Sequence, residues 1–164
     1  MEQFIIRHST EADLPDMLRI VDEARQKMRG SGNMLQWADG YPGREQLVND
    51  IKRRVSYVVE SGGKVVATFA FITDPDPTYT IIYNGEWLDD TRPYGTIHRI
   101  ASCHGVHKVG AAVFDWCYAL TGNLRVDTHR DNTIMRHVVE KCGFTYCGII
   151  HLLNGDERLA YQRP

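Results

Sequence analysis

The ten residues Cys103-His104-Gly105-Val106-His107-Lys108-Val109-Gly110-Ala111-Ala112 have the types and spacing of an anion-binding loop. A strand-like run precedes them and an apolar helical pattern follows. Several backbone N–H groups therefore converge with no intrahelical acceptor. Such donors, at the positive end of a helix dipole, form a site for negative charge. Gly110, Ala111 and Ala112 leave room for a polyphosphate to approach the backbone, and Lys108 adds charge. The same residues also suit a plain strand-to-helix turn whose glycines relieve backbone strain, and the spacing alone leaves both open. Neither G-x-x-x-x-G-K-[ST] nor G-x-G-x-x-G is present, which excludes a classical P-loop and the dinucleotide fingerprint.

Other groups could do chemistry elsewhere in the chain. His98 and His129 titrate near neutral pH and can accept a proton, though each also suits a hydrogen-bonded structural histidine. Cys103, close to His104 and His107, raises a thiol-dependent hydrolase; a small, partly buried thiol is the simpler account of it. The Cys103, His104 and His107 spacing fits no common zinc template, so no metal is expected. Trp37, Tyr41, Trp87 and Tyr94 can wall a pocket and cradle an amine by cation–π contact, or close the core beneath loops. Glu86 and Asp89 can bind a cationic ligand, or simply be solvated.

Bulk properties narrow the classes. At 164 residues the chain suits one domain, 1–164, long enough to bury roughly two-thirds of its unfolded surface. A net charge of −2 without a Lys/Arg block argues against nucleic acid as partner. No apolar run approaches the roughly 18 residues of a membrane span. The four cysteines form no C-x-x-C and no signal-like segment is seen, so reduced thiols and a cytoplasmic location are expected.

The elements that must position these groups follow from periodicity. Phe4 to Arg7 reads as a strand. Asp13 then caps a helix in which Leu14, Met17, Leu18, Val21, Ala24 and Met28 share one face. A second helix is expected over Arg44 to Arg54, then a hairpin of Ser56 to Glu60 and Val65 to Ile72 turned at Gly62-Gly63. Tyr79 to Tyr83 is a further apolar segment, expected to extend the antiparallel set to three or four strands. The second half alternates: strand Thr96 to Ser102, helix Val109 to Leu120, strand Leu124 to Thr128, helix Asn132 to Lys141. Tyr146 to Leu153 and Arg158 to Gln162 close it as strands. That order predicts a mixed α/β (α+β) sandwich, with a mostly antiparallel sheet of about seven strands and about four helices, rather than a Rossmann sheet.

His107-Lys108-Val109-Gly110-Ala111-Ala112 resembles the acetyl-CoA signature R/Q-x-x-G-x-G/A of the GNAT N-acetyltransferase superfamily, with His107 where Arg or Gln is usual. Ile97 to Ser102 sits where that family keeps its central strand, and Val126 to Asn132 matches its next strand followed by Asn. Lys141-Cys142-Gly143-Phe144 matches its E-K-x-G-F ending, and Ile6 to Leu14 its typical start. The resemblance spans nearly the whole chain in the right order. It implies a splayed pair of parallel strands holding acetyl-CoA, with pyrophosphate on the loop and pantetheine along Ile100, Ala101 and Ser102. Asn132 would touch that arm or the phosphates, or act as a helix N-cap. It further implies direct transfer of acetyl to a primary amine of a small molecule or peptide, by a monomer or homodimer. His98 or His129 would then be the base, and Trp37, Tyr41, Glu86 and Trp87 would meet the acceptor. The chain departs from the family at Val139, where many relatives carry a Tyr acid. That departure motivates a rival reading as a non-catalytic CoA-binding sensor or interaction module.

Overall fold

The computed structural model describes residues 3–164. Its element order is β1 (Ile5–His8), α1 (Leu14–Gly30), α2 (Arg44–Lys52), β2 (Ser56–Ser61), β3 (Lys64–Ile72), β4 (Gly95–Ser102), α3 (Val109–Thr121), β5 (Leu124–Thr128), α4 (Thr133–Lys141), β6 (Thr145–His151) and β7 (Glu157–Arg163), with short 3-10 turns at Glu11–Asp13 and Pro77–Tyr79. The strands form one sheet in the order β1-β2-β3-β4-β5-β7-β6. All neighbours are antiparallel except β4 and β5.

Strand alternation divides the core. Val59, Phe69, Phe71 and Ile97 pack with Val113, Phe114 and Cys117 of α3 and Val139 of α4. Val58 and Ala101 point the other way, onto Leu14, Met17, Ile20 and Val21 of α1 and Leu47 of α2. A two-residue period sends neighbouring side chains to opposite faces, so each face receives its own helix pair. A third cluster, around Tyr79, Trp87 and Ile150, seals β6 and β7 beneath the long segment before β4.

Three expectations need correction. Tyr79 to Tyr83 is not a strand. The Asp76 side chain accepts from Thr78 N–H (2.9 Å) and Thr78 Oγ1 (2.6 Å), winding this stretch into a 3-10 turn. Its only sheet-like contact among the described residues is an isolated bridge from Tyr83 to Ile149. The second helix stops at Lys52, since Arg54 takes a left-handed conformation (φ 60°). Asp13 occupies the position before α1 but makes no side-chain cap. It instead receives a forked pair from Arg7 (2.8 and 2.9 Å) and the Thr10 N–H (2.8 Å), which together hold its carboxyl below the usual range.

The feature that makes room for function is a split between β4 and β5. Their pairing covers only Gly95 with Leu124 and Thr96 with Arg125. Beyond that, β4 continues against β3 as far as Ser102, and β5 against β7 as far as Thr128. Inside β4 the register to β3 shifts between Thr68 and Ala70, and Arg99 opposite adopts φ 53°. This bulge bends β4 away from its parallel neighbour. No helix among the described residues is long and apolar enough to cross a membrane.

Candidate active site

Two cavities open on the split. The larger, about 810 Å³, is floored by the loop and first turn of α3 and bordered by β4, α1 and α4. Ile100, Ala101, Ser102, His107, Lys108, Val109, Gly110, Ala111 and Asn132 all line it. Ala112 does not; its N–H is bonded to Lys108 O (3.1 Å). The N–H groups of Val109, Gly110 and Ala111 donate to no acceptor among the described residues. Lys108, at the N-cap with φ 63°, turns the chain into the helix. Gly110 lies beside Val138, where an added Cβ would sit 3.4 Å from Cγ1, so its smallness serves the cavity more than the backbone.

Four polar groups on this wall were not foreseen: Lys27 and Ser31 at the end of α1, Asp115 on α3, and Lys141 at the end of α4. The only sequence signal for the two lysines is a basic residue in a last helical turn, which also has an ordinary helix-dipole explanation.

The second cavity, about 640 Å³, shares Met28, Ile100, Asn132 and Met135 with the first. Trp37, Tyr41 and His98 line it, joined by Asp76, Arg99, Asp127 and Thr128. His98 Nε2 lies 2.9 Å from Asp76 Oδ2. Burial of Asp76 opposes its ionisation, but hydrogen bonds from His98 and Thr78 outweigh this and hold its carboxyl at about 2. An ionised carboxylate only accepts, so Nε2 must carry the proton, and Nδ1 is left as the basic atom of the neutral ring. On the other side of the split, Tyr79 donates to Asp127 (2.6 Å). Burial and that carboxylate push the phenol well above its ordinary range.

Arg99 was also unforeseen. It forks onto the buried Asp50 through Nε (2.7 Å) and Nη2 (3.0 Å), and Nη1 donates to Tyr41 Oη (3.0 Å). The bulge residue of β4 is thus tied to α2 and to the loop before it.

Several other site candidates fall outside this centre. His129 borders neither cavity, and its Nδ1 accepts the Asp131 N–H (3.0 Å). Burial first, and then Arg158, depress its basicity. Glu86 is exposed and borders neither cavity. Trp87 is buried, its Nε1 donating to Tyr79 O (3.0 Å). Trp87 and Tyr94 do cradle a cation, but it is the chain's own: the Arg125 guanidinium sits 4.0 Å from each ring. Asn132 does cap α4, accepting from Met135 N–H (3.0 Å), and its amide also donates to Gln36 Oε1 (3.1 Å). Val139 is buried against the sheet and offers no proton donor. All four cysteines are free thiols, and among the described residues no cluster of His, Cys, Asp or Glu is placed to hold a metal ion.

No protein-family model matches the chain, and no curated protein matches it. Solved structures do. An acetyltransferase of the GNAT family from Streptococcus agalactiae is 31% identical, with a TM-score of 0.90 over 98% of this chain and 94% of that one. The chain belongs to the GNAT acetyltransferase family. A GNAT-family acetyltransferase from Listeria monocytogenes shares the fold at 17% identity, with a TM-score of 0.70 over 97% and 93% of the two chains. So does a ribosomal-protein-alanine N-acetyltransferase from Brucella melitensis, at 18% identity and TM-score 0.63 over 96% and 98%. In this GNAT chain the split parallel pair β4–β5 and the two cavities that flank it form the candidate centre.

Proposed function

We propose that the protein is an acetyl-CoA-dependent N-acetyltransferase that moves acetyl directly to a primary amine of a small molecule or peptide in a ternary complex. The observation that carries this reading is the meeting of two cavities at the split, one lined by free backbone donors and the other by a histidine–carboxylate pair.

The larger cavity fits the co-substrate. The unpaired N–H groups of Val109, Gly110 and Ala111 suit a pyrophosphate, with Lys108, Lys27 and Lys141 as nearby charge. From Ile97 to Ser102, the edge of β4 facing β5 has no strand partner. Its backbone groups are free for an extended, amide-bearing arm and for negative charge where it develops. When bound, acetyl-CoA supplies an acetyl group activated as a thioester.

His98 takes the proton of the acceptor ammonium at Nδ1, and Asp76 stabilises the imidazolium that results. Direct attack, rather than an acyl-enzyme, follows from the family resemblance.

Thermal unfolding with acetyl-CoA, CoA and ATP tests the reading. At a hundredfold over the dissociation constant, a ligand stabilises by about 2.7 kcal/mol, or roughly 5–11 °C for a domain near this size. The expected result is a shift with acetyl-CoA and CoA but not ATP, followed by amine-dependent release of free thiol. No shift at millimolar ligand would overturn the reading. Because Val139 supplies no acid, a CoA-binding module without turnover is the second reading; a shift with no thiol release from any amine would favour it.

A further inference from the structure

We infer that the acceptor carries a second cationic group besides its reacting amine, and that Asp127 binds it. This rests on the transferase reading above. Asp127 projects from β5 into the smaller cavity, half-buried, with the phenol of the buried Tyr79 donating to Oδ2 at 2.6 Å. Among the described residues no Lys, Arg or His pairs with it. Arg99 is already balanced by Asp50, and Asp76 takes its hydrogen bonds from the neutral His98 ring and from Thr78. Arg158 also borders this cavity, as a cation with no carboxylate partner among the described residues and one donor on the Glu157 carbonyl. Two further carboxylates, Asp39 and Asp156, border the same space without an ion-pair partner among the described residues. The cavity therefore holds an excess of negative charge, with its most enclosed unpaired carboxylate at Asp127.

A partly buried carboxylate without a counter-ion is costly, and a bound cation offsets that cost. The reacting amine is the wrong cation for the role. A carboxylate beside it would favour the ammonium form and oppose the deprotonation that attack requires. His98, a neutral ring oriented by Asp76, suits that task, whereas Asp127 suits a group that stays charged throughout. Tyr79 links the two positions, its hydroxyl on Asp127 and its ring 6.3 Å from that of His98. Ile97 and Leu152 supply apolar wall for a methylene chain. Thr128, the next residue of β5, borders the same space, with its Oγ1 buried and unpartnered. The acceptor class is thus a short aliphatic diamine, or an amine bearing an equivalent fixed cation.

Calorimetric binding of diaminobutane, butylamine and gamma-aminobutyrate to the protein without acetyl-CoA tests this, followed by kcat/KM for each from thiol release. Diaminobutane should bind about tenfold tighter than butylamine, and gamma-aminobutyrate more weakly than either. Asp127→Asn still accepts from Tyr79, and should bring the diamine-to-butylamine ratio towards one. Asp127→Glu, which keeps the charge, should retain a preference. Equal binding of diamine and butylamine by the wild type, or an undiminished ratio in Asp127→Asn, would overturn the inference. Diamine-selective binding lost in Asp127→Asn, but without thiol release, would support the cation site while overturning the transferase reading.

Discussion

The two cavities are built in opposite ways. The donor cavity rests on one continuous run, 106–111, whose backbone makes the site almost regardless of side chains. The acceptor cavity is assembled from pairs far apart in the chain: His98 with Asp76, Arg99 with Asp50, and Tyr79 with Asp127. A backbone site tolerates side-chain change until something blocks it. A side-chain site depends on each partner, and on the elements that hold the partners in place.

Breaking the donor side should take one bulky charge. Gly110→Glu places a carboxylate where the pyrophosphate would lie, and is expected to abolish acetyl-CoA binding in calorimetry while the melting temperature without ligand stays near wild type. Normal binding by this variant would remove the phosphate assignment. On the acceptor side, His98→Gln should leave acetyl-CoA affinity alone, lower kcat by about 10²–10⁴ and change the pH–rate profile. An unchanged profile would dismiss His98 as base.

The support beneath His98 is the next test. Asp50→Asn leaves the Arg99 guanidinium buried without its carboxylate, a change that costs about 3–5 kcal/mol in such pairs. Denaturant unfolding should report that loss, and kcat should fall while acetyl-CoA affinity holds. Stability within about 0.5 kcal/mol of wild type would mean the clamp carries little. The pH dependence of stability isolates Asp76. Its carboxyl lies at about 2 against an ordinary 3.8, so its contribution is full above the ordinary value and fades as pH falls towards 2. The shift corresponds to about 2 kcal/mol. Asp76→Asn should be less stable at neutral pH, with a flatter stability curve between about pH 4 and 2. The smallest effect belongs to one of the four residues both cavities share: Asn132→Ala should cost about 1 kcal/mol through the lost cap of α4.

The same contrast explains how much was legible beforehand. Strand alternation, the Gly62-Gly63 hairpin and the apolar faces of α1 and α3 each follow from local spacing, and the sheet follows from their order. The loop proposed to hold phosphate is local as well. The acceptor side is not. Asp76 sits among prolines in a stretch that periodicity treats only as a break, and Asp50 is one more acidic residue on a mostly polar helix. Trp87 and Tyr94 have the chemistry to hold a cation, but nothing local says that Arg125 fills the place from within instead of an acceptor amine. Tyr79 to Tyr83 looked extended because its residues favour strands; the Asp76–Thr78 turn overrides that preference.

The split between β4 and β5 also has a mechanical meaning. Across it the sheet is laced only near Gly95–Thr96 and Leu124–Arg125, so the strands form two ribbons, β1-β2-β3-β4 and β5-β7-β6, hinged near one end. Drawn apart, the molecule should yield along this seam before any hairpin unzips, and slow amide exchange should mark the ribbons as separate cooperative units. An extended ligand lying in the gap takes the place of the missing rungs, so the molecule is stiffest across its sheet when loaded for work.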